Sequence, residues 1–332
     1  MLKEQLKEEQ PLVYEALRIA LVNGTVSHAC LFAGPDVTCK KEAALLLAMS
    51  LLCENREDGF ACESCNTCRR VRENGHMDFV LLDGTQKAIS KDDVDALQEK
   101  FSKTSGEAGT GQRVAVLLNA GNSSLSAMNS LLKFLEEPGK DITIILTVDN
   151  ISQILPTIVS RCTVLYFVRP SEDYLLQKAR ESGIEEEDVW FVSHLAKADE
   201  NVAEFVKSDM YTHAVAMLKQ CLGINGPFSE WLVDYDISYK LSDRTENLQM
   251  IRMFLDLLDL YCHDVILKRH HVPSWYQNAV QQAVGHQEDY AKLIIRMHRE
   301  KDLCTRFNDQ NLLTAQIYQK MEEFFHDVRK RN

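Results

Sequence analysis

Four of the ten cysteines in this 332-residue chain fall within one short stretch: Cys53, Cys62, Cys65 and Cys68, spaced C-x8-C-x2-C-x2-C. Two residues between cysteines let both sulfurs reach one ion from a tight turn. A third cysteine extends the knuckle, and Cys53, at the end of the preceding apolar run, completes a tetrahedron. Four thiolates with no open position are the donor set of a closed, structural zinc site. Four thiolates around a divalent cation leave a net charge of about −2, and Arg56, Arg69, Arg70 and Arg72 lie near enough in sequence to offset it. The alternative is four unrelated thiols or a redox pair; the spacing favours zinc. The other six, Cys30, Cys39, Cys162, Cys221, Cys262 and Cys304, are scattered and read as small buried hydrophobes.

A second site is legible by what it lacks. Gly34-Pro35-Asp36-Val37-Thr38-Cys39-Lys40-Lys41 follows an apolar run and precedes a helical one, where a strand–loop–helix phosphate site of the form G-x4-G-K-[ST] belongs. Gly34 and Lys40 fit. The second glycine, needed so that backbone can wrap phosphates, is Cys39. The hydroxyl that would hold Mg²⁺ is Lys41, a cation where a cation should bind. The metal-holding Asp and water-activating Glu expected after the run Val114–Leu118 are Asn119 and Ala120. With four positions broken, ATP is not expected to be hydrolysed, and Lys40 reads as a solvated residue at a helix start.

The elements around these residues follow from periodicity. Apolar runs at Ala29–Ala33, Phe79–Leu82, Val114–Leu118, Ile142–Leu146 and Val164–Phe167 read as strands. Helical spacing covers 2–22, 41–53, 90–103 and 124–137, the last stopped by Pro138-Gly139. Strands alternating with helices demand crossover connections, hence a mostly parallel sheet with helices on both faces. After Pro170 the periodicity is helical only: Ser171 is an N-cap, Gly183 a stop, Leu248, Ile251, Leu255, Leu258, Tyr261, Cys262 and Val265 form one stripe of a helix over 245–268, and 309–330 is a last helix. Adjacent Glu136 and Glu137 point about 100° apart on a helix and do not form an acid–base pair. His263, His270 and His271 beside Lys268 and Arg269 read as a solvated basic helix end.

Composition bounds the rest. Hydrophobic residues make up 45%, charged residues 26%, with 14 Gly and 7 Pro, an ordinary globular balance. At roughly 150 residues per domain, two or three domains are expected. A formal net charge of −12 argues against a chain whose main work is coating DNA or RNA. The longest apolar stretch, Ala43 to Cys53, is interrupted by Ser50, so no membrane span is expected, and the charged amphipathic start Met1–Gln5 does not resemble a signal peptide. A cytoplasmic location is the expectation.

Three strings resemble motifs of the AAA+ clamp-loader family: His28-Ala29-Cys30-Leu31-Phe32-Ala33-Gly34-Pro35; Asn129-Ser130-Leu131-Leu132-Lys133-Phe134-Leu135-Glu136-Glu137-Pro138; and Leu155-Pro156-Thr157-Ile158-Val159-Ser160-Arg161-Cys162, which ends in the family's Ser-Arg-Cys. The cysteine cluster sits at the family's zinc insertion. The resemblance is dense over 10–168 and beyond 170 rests on helical architecture alone. It implies an α/β AAA+ P-loop-type parallel-sheet domain over 1–168 with the zinc module at 53–68, a small helical lid domain over 169–209, and an all-α collar or oligomerisation domain over 210–332.

By the same resemblance the chain is a non-ATPase member of a hetero-pentameric ring with gamma/tau and delta subunits. That ring is part of a DNA polymerase holoenzyme and loads the beta sliding clamp onto primed DNA. Arg161, flanked by Ser160 and Cys162, is then a trans-acting arginine finger offered to a neighbouring ATPase subunit. Arginine suits the role because its planar fork bonds phosphate oxygens bidentately and keeps its charge. The alternative for Arg161 is an intrachain salt bridge near a strand start, and for Cys162 a packing role. Competing readings of the whole chain are a self-sufficient ATPase, a degenerate gamma/tau-like paralogue with a regulatory role, and a zinc-ribbon nucleic-acid binder.

Overall fold

The apolar runs of the first half form a five-stranded, all-parallel sheet in the computed structural model, which describes residues 1–85, 87–102, 110–136, 139, 141–196, 201–269, 273–304 and 309–331. The chain divides into two compact units, Met1–Pro170 and the described residues from Ser171 onward.

The first unit begins with α1 (Leu2–Glu9) and α2 (Pro11–Asn23), then β1 (Ala29–Ala33) and α3 (Lys40–Leu52). A short antiparallel hairpin, β2 (Arg56–Glu57) and β3 (Phe60–Ala61), leads to α4 (Asn66–Arg72). Strand β4 (Phe79–Asp83), α5 (Lys91–Ser102), β5 (Arg113–Leu118), α6 (Leu125–Glu136), β6 (Ile142–Val148), α7 (Pro156–Val159) and β7 (Thr163–Tyr166) complete it. The order across the sheet is β4-β5-β6-β1-β7, which puts the first strand between the fourth and fifth long strands, as in the P-loop-type AAA+ sheet. Central strands β1 and β6 are buried along their whole length, whereas edge strand β7 is only half covered.

Side-chain alternation sorts the strands into two cores. Cys30, Phe32, Val114, Val116 and Ile145 pack under α1, α2 and α3. Leu31, Ala115, Leu117, Ile144 and Leu146 pack against α5, α6 and α7. The single helix expected over 2–22 is two. Pro11 is fixed at the first position of α2, and Gln10 before it leaves the helical region at φ −138°. The break has a partner: the Gln10 amide donates to the Val168 carbonyl at 2.6 Å and accepts from the Val168 amide at 3.1 Å. Other boundaries shift by a residue or two. Lys103, Glu137, Pro138, His270 and His271 lie outside the described residues.

Among its described residues the second unit is helical: α8 (Glu172–Glu181), α9 (Glu186–Leu195), α10 (Val202–Phe205), α11 (Asp209–Cys221), α12 (Trp231–Asp234), α13 (Arg244–Leu267), α14 (Ser274–Ala283), α15 (Gln287–Leu303) and α16 (Gln310–Arg331). Ser171 caps α8, accepting from the Tyr174 amide, and Gly183 follows at φ +71°. Asp243 caps α13, which ends on Lys268 in the left-handed region. Six of the seven stripe residues expected on this helix are buried, and Leu248 packs at the core's edge.

Asp264 is 2% exposed inside this core and accepts from the Trp190 indole at 3.0 Å and the Tyr276 hydroxyl at 2.9 Å. Burial raises its carboxyl to about 6, outweighing the two donors, which pull it down. Between about pH 4 and pH 6 the folded chain therefore keeps a proton that the unfolded chain has released. Stability should fall as pH rises through that window, by about 3 kcal/mol from this group. All three tryptophans, Trp190, Trp231 and Trp275, lie in this unit, so fluorescence-monitored urea unfolding reads it. Asp264→Asn should flatten the decline seen in the parent; an identical decline in the variant would place its origin elsewhere.

Candidate functional site

The turn between β1 and α3 is compact, and Lys40 is why. Its side chain folds back, and its ammonium donates to the Gly34 carbonyl, to the Pro35 carbonyl at 2.6 Å and to Asp149 Oδ1 at 3.1 Å. Lys40 is 5% exposed, not the solvated residue its position suggested. The physical reason is that the loop leaves two carbonyls pointing inward, and a buried cation with three oxygen partners satisfies them. Thr38 tightens the same turn, its hydroxyl donating to the Pro35 carbonyl at 2.7 Å. Gly34 has a local reason to be glycine: a Cβ there would stand 2.2 Å from the Phe167 carbonyl oxygen. Cys39 is fully buried under α1, its thiol pushed up by burial first and by Glu9 second. Lys41 is exposed.

At the end of β5 the two residues standing where catalytic carboxylates would be are turn residues. Asn119 takes φ +46°, its amide donating to the Thr147 hydroxyl at 2.9 Å and its side chain to the Gly84 carbonyl at 3.4 Å. Ala120 is 1% exposed and packs in the core. Nothing in the spacing announces Asp149, whose partner lies 109 residues away; the only signal is an acid at the end of an apolar run.

The cysteine cluster is assembled as expected. The sulfurs of Cys53, Cys62, Cys65 and Cys68 all lie within 4.8 Å of one another, with separations of 3.5 Å (Cys65–Cys68), 3.7 Å (Cys53–Cys62), 3.8 Å (Cys53–Cys65) and 4.0 Å (Cys62–Cys68). A tetrahedron with bonds of about 2.3 Å has edges of about 3.8 Å, so the cluster could hold a metal ion and is compatible with zinc. Backbone amides of Ser64 and Cys65 aimed at Cys62 hold its thiol low, at about 6, while burial pushes the Cys53 and Cys68 thiols up. The nearby arginines are engaged with oxygens. Arg56 donates to the Cys53 and Leu51 carbonyls at the end of α3, Arg69 to Asn66, Arg70 to the Gly75 carbonyl, and Arg72 pairs with Glu63.

This knuckle also clasps the start of the chain. Glu63 accepts from the Leu2 and Lys3 amides at 2.9 and 3.0 Å, satisfying the open end of α1. Phe60 stacks on Tyr14 at 5.0 Å, Arg18 pairs with Asp58 at 3.2 Å, and the Ser50 hydroxyl receives the Ala61 amide at 2.9 Å. The sequence gives no sign of Glu63, whose contacts span about sixty residues.

Arg161 lies just beyond α7 on the surface of the first unit. Its guanidinium donates to Glu136 Oε1 at 2.7 Å and to the Thr157 carbonyl at 2.8 Å, with the Ser160 hydroxyl at 3.5 Å. The intrachain ion pair weighed against the finger is thus present, and it is exposed. Cys162 is half-buried against the core, its thiol pushed up to about 11 by burial.

Fold and site together define a parallel α/β domain of P-loop-type strand order, whose loop after β1 is filled by its own lysine and which carries a four-cysteine cluster. Residues 9–171 match the family described as "DNA polymerase III, delta subunit". The chain is 39% identical over 207 residues to the DNA polymerase III subunit delta' of Bacillus subtilis (strain 168), covering 61% of this chain and 60% of that protein. It is 34% identical over 137 residues to the delta' subunit of Pseudomonas aeruginosa, covering 41% and 42%, and 30% identical over 161 residues to the tau subunit of Bacillus subtilis (strain 168), covering 48% and 28%. The matched stretches span less than two thirds of each of these relatives. The chain thus resembles the delta' subunits of DNA polymerase III.

Two outcomes test the site. Lys40→Ala removes the cation from two inward carbonyls and Asp149, and should lower stability by about 1–3 kcal/mol. Hydrogen exchange at β1 and the start of α3 reads this, and unchanged protection would contradict the closed loop. Cys65→Ser should remove bound metal and loosen α1, because metal binding and local folding share one free energy. Metal content by elemental analysis together with proteolysis near residue 10 checks it. Metal loss with α1 protection intact would show that the clasp stands without the ion.

Proposed function

We propose that the chain is the delta' subunit of a bacterial DNA polymerase III clamp loader, a member of the ring that does not hydrolyse ATP itself. The observation that carries the reading is Lys40. An ammonium already bound by Gly34, Pro35 and Asp149 is not free to meet a β- or γ-phosphate, and Cys39, Lys41, Asn119 and Ala120 supply none of the remaining parts. On this reading the first unit is a rigid, cytoplasmic stator with structural zinc on Cys53, Cys62, Cys65 and Cys68. Residues 169–209 serve as the lid and 210–332 as the collar that joins gamma/tau and delta subunits. The assembled ring opens the beta clamp and loads it on primed DNA. Arg161, flanked by Ser160 and Cys162, is offered to the nucleotide of a neighbouring ATPase subunit. Its exposed position at the edge of the first unit supports that role.

The purified chain should show no ATP turnover; robust turnover abolished by Lys40→Ala would overturn the reading. In a complex reconstituted with gamma/tau and delta subunits, Arg161→Ala should lower DNA-stimulated ATPase by about tenfold or more, within the range such arginines supply. Arg161→Lys should rescue only in part, since a point charge lacks the fork. Folding and metal content should be nearly unchanged, because an exposed ion pair contributes little to the monomer. An unchanged rate in an intact Arg161→Ala complex would make Arg161 a structural residue.

A further inference from the structure

We propose that Glu136 is the resting partner of Arg161, holding the guanidinium on this chain until the nucleotide of a neighbouring subunit draws it away. The inference rests on the trans-acting reading of Arg161 and adds a positioning residue to it.

The geometry comes from two stretches 25 residues apart in sequence. Glu136 is the last residue of α6, and Arg161 follows α7. One guanidinium nitrogen meets Glu136 Oε1 at 2.7 Å, and the other is held by the Thr157 carbonyl at 2.8 Å, so the fork is fixed on both sides. Packing does not require Glu136. Helix α6 is anchored by Ala127, Met128, Leu131 and Leu135, all buried, while Asn129, Lys133 and Glu136 face solvent. The Glu136 and Arg161 side chains are 44% and 37% exposed, so the pair is open to solvent.

The chemistry favours exchange. A carboxylate and a phosphate present similar oxygen edges to the guanidinium fork, and a terminal phosphate carries more charge. An exposed carboxylate pair is weak enough to be broken by that competitor and directional enough to keep the arginine from wandering. Glu136 would thus set how readily Arg161 engages, not how well it acts once engaged.

The test uses the reconstituted complex and three variants of this chain: Glu136→Gln, Arg161→Ala and the double variant. ATPase is read with and without primed DNA and clamp. The proposal expects Glu136→Gln to raise the unstimulated rate about two- to fivefold, to leave the stimulated rate near that of the parent, and so to narrow the ratio. The double variant should match Arg161→Ala alone, because Glu136 acts only through Arg161. If Arg161→Ala lowers the rate but Glu136→Gln leaves the ratio unchanged, the finger stands and the resting-partner role falls. If Glu136→Gln lowers the stimulated rate, Glu136 supports the engaged arginine instead, and the proposal is wrong. If Arg161→Ala has no effect, the trans-acting reading fails and takes this inference with it.

Discussion

The Lys40 ammonium, enclosed by the Gly34 and Pro35 carbonyls and the Asp149 carboxylate, fixes what the rest of the first unit can do. In a working phosphate loop the amides turn inward and the lysine reaches out to a ligand. Here carbonyls turn inward and the lysine answers them. Once that exchange is made, the other departures are consistent with it. Cys39 stands where a phosphate loop has glycine, and it serves as core beneath α1. Ala120 is core at the end of β5. Asn119 can take a left-handed turn and tie β5 to Gly84 and Thr147. The loop has become a structural corner joining β1, α3 and the end of β6.

The cysteine knuckle does comparable work on the opposite side of α3. A two-stranded hairpin this short has little stability of its own. It is held by sulfurs at one end and by its contacts with α1 and α2 at the other: Glu63 on the open amides of α1, Phe60 on Tyr14, Asp58 on Arg18. The cysteine cluster, the hairpin and the first two helices are therefore tied together by side-chain contacts.

Much of this was legible in the residues. The parallel sheet follows from apolar runs too continuous to have a wet face, and each of the five strands lies within a residue or two of its expected place. The four cysteines are local and their spacing is specific, so the cluster was legible too. What escaped is long-range. The break at Gln10 depends on Val168, the buried state of Lys40 on Asp149, and the cap on α1 on Glu63. In each case a polar side chain with no local pattern finds a partner more than fifty residues away. Lys40 is the instructive case. A lysine at a helix start is usually solvated, and here two backbone carbonyls and the distant Asp149 override that preference.

The loop after β1 is filled by its own lysine, which meets the Gly34 and Pro35 carbonyls and Asp149. Titration of Mg-ATP into the purified chain, followed by calorimetry, tests this most directly. The account predicts no saturable binding up to about 1 mM, which bounds any affinity at weaker than about −4 kcal/mol. Saturable binding at micromolar concentrations, lost on changing Lys40, would mean that the ammonium leaves Gly34, Pro35 and Asp149 for phosphate. The loop would then be a latent nucleotide site and not a structural corner.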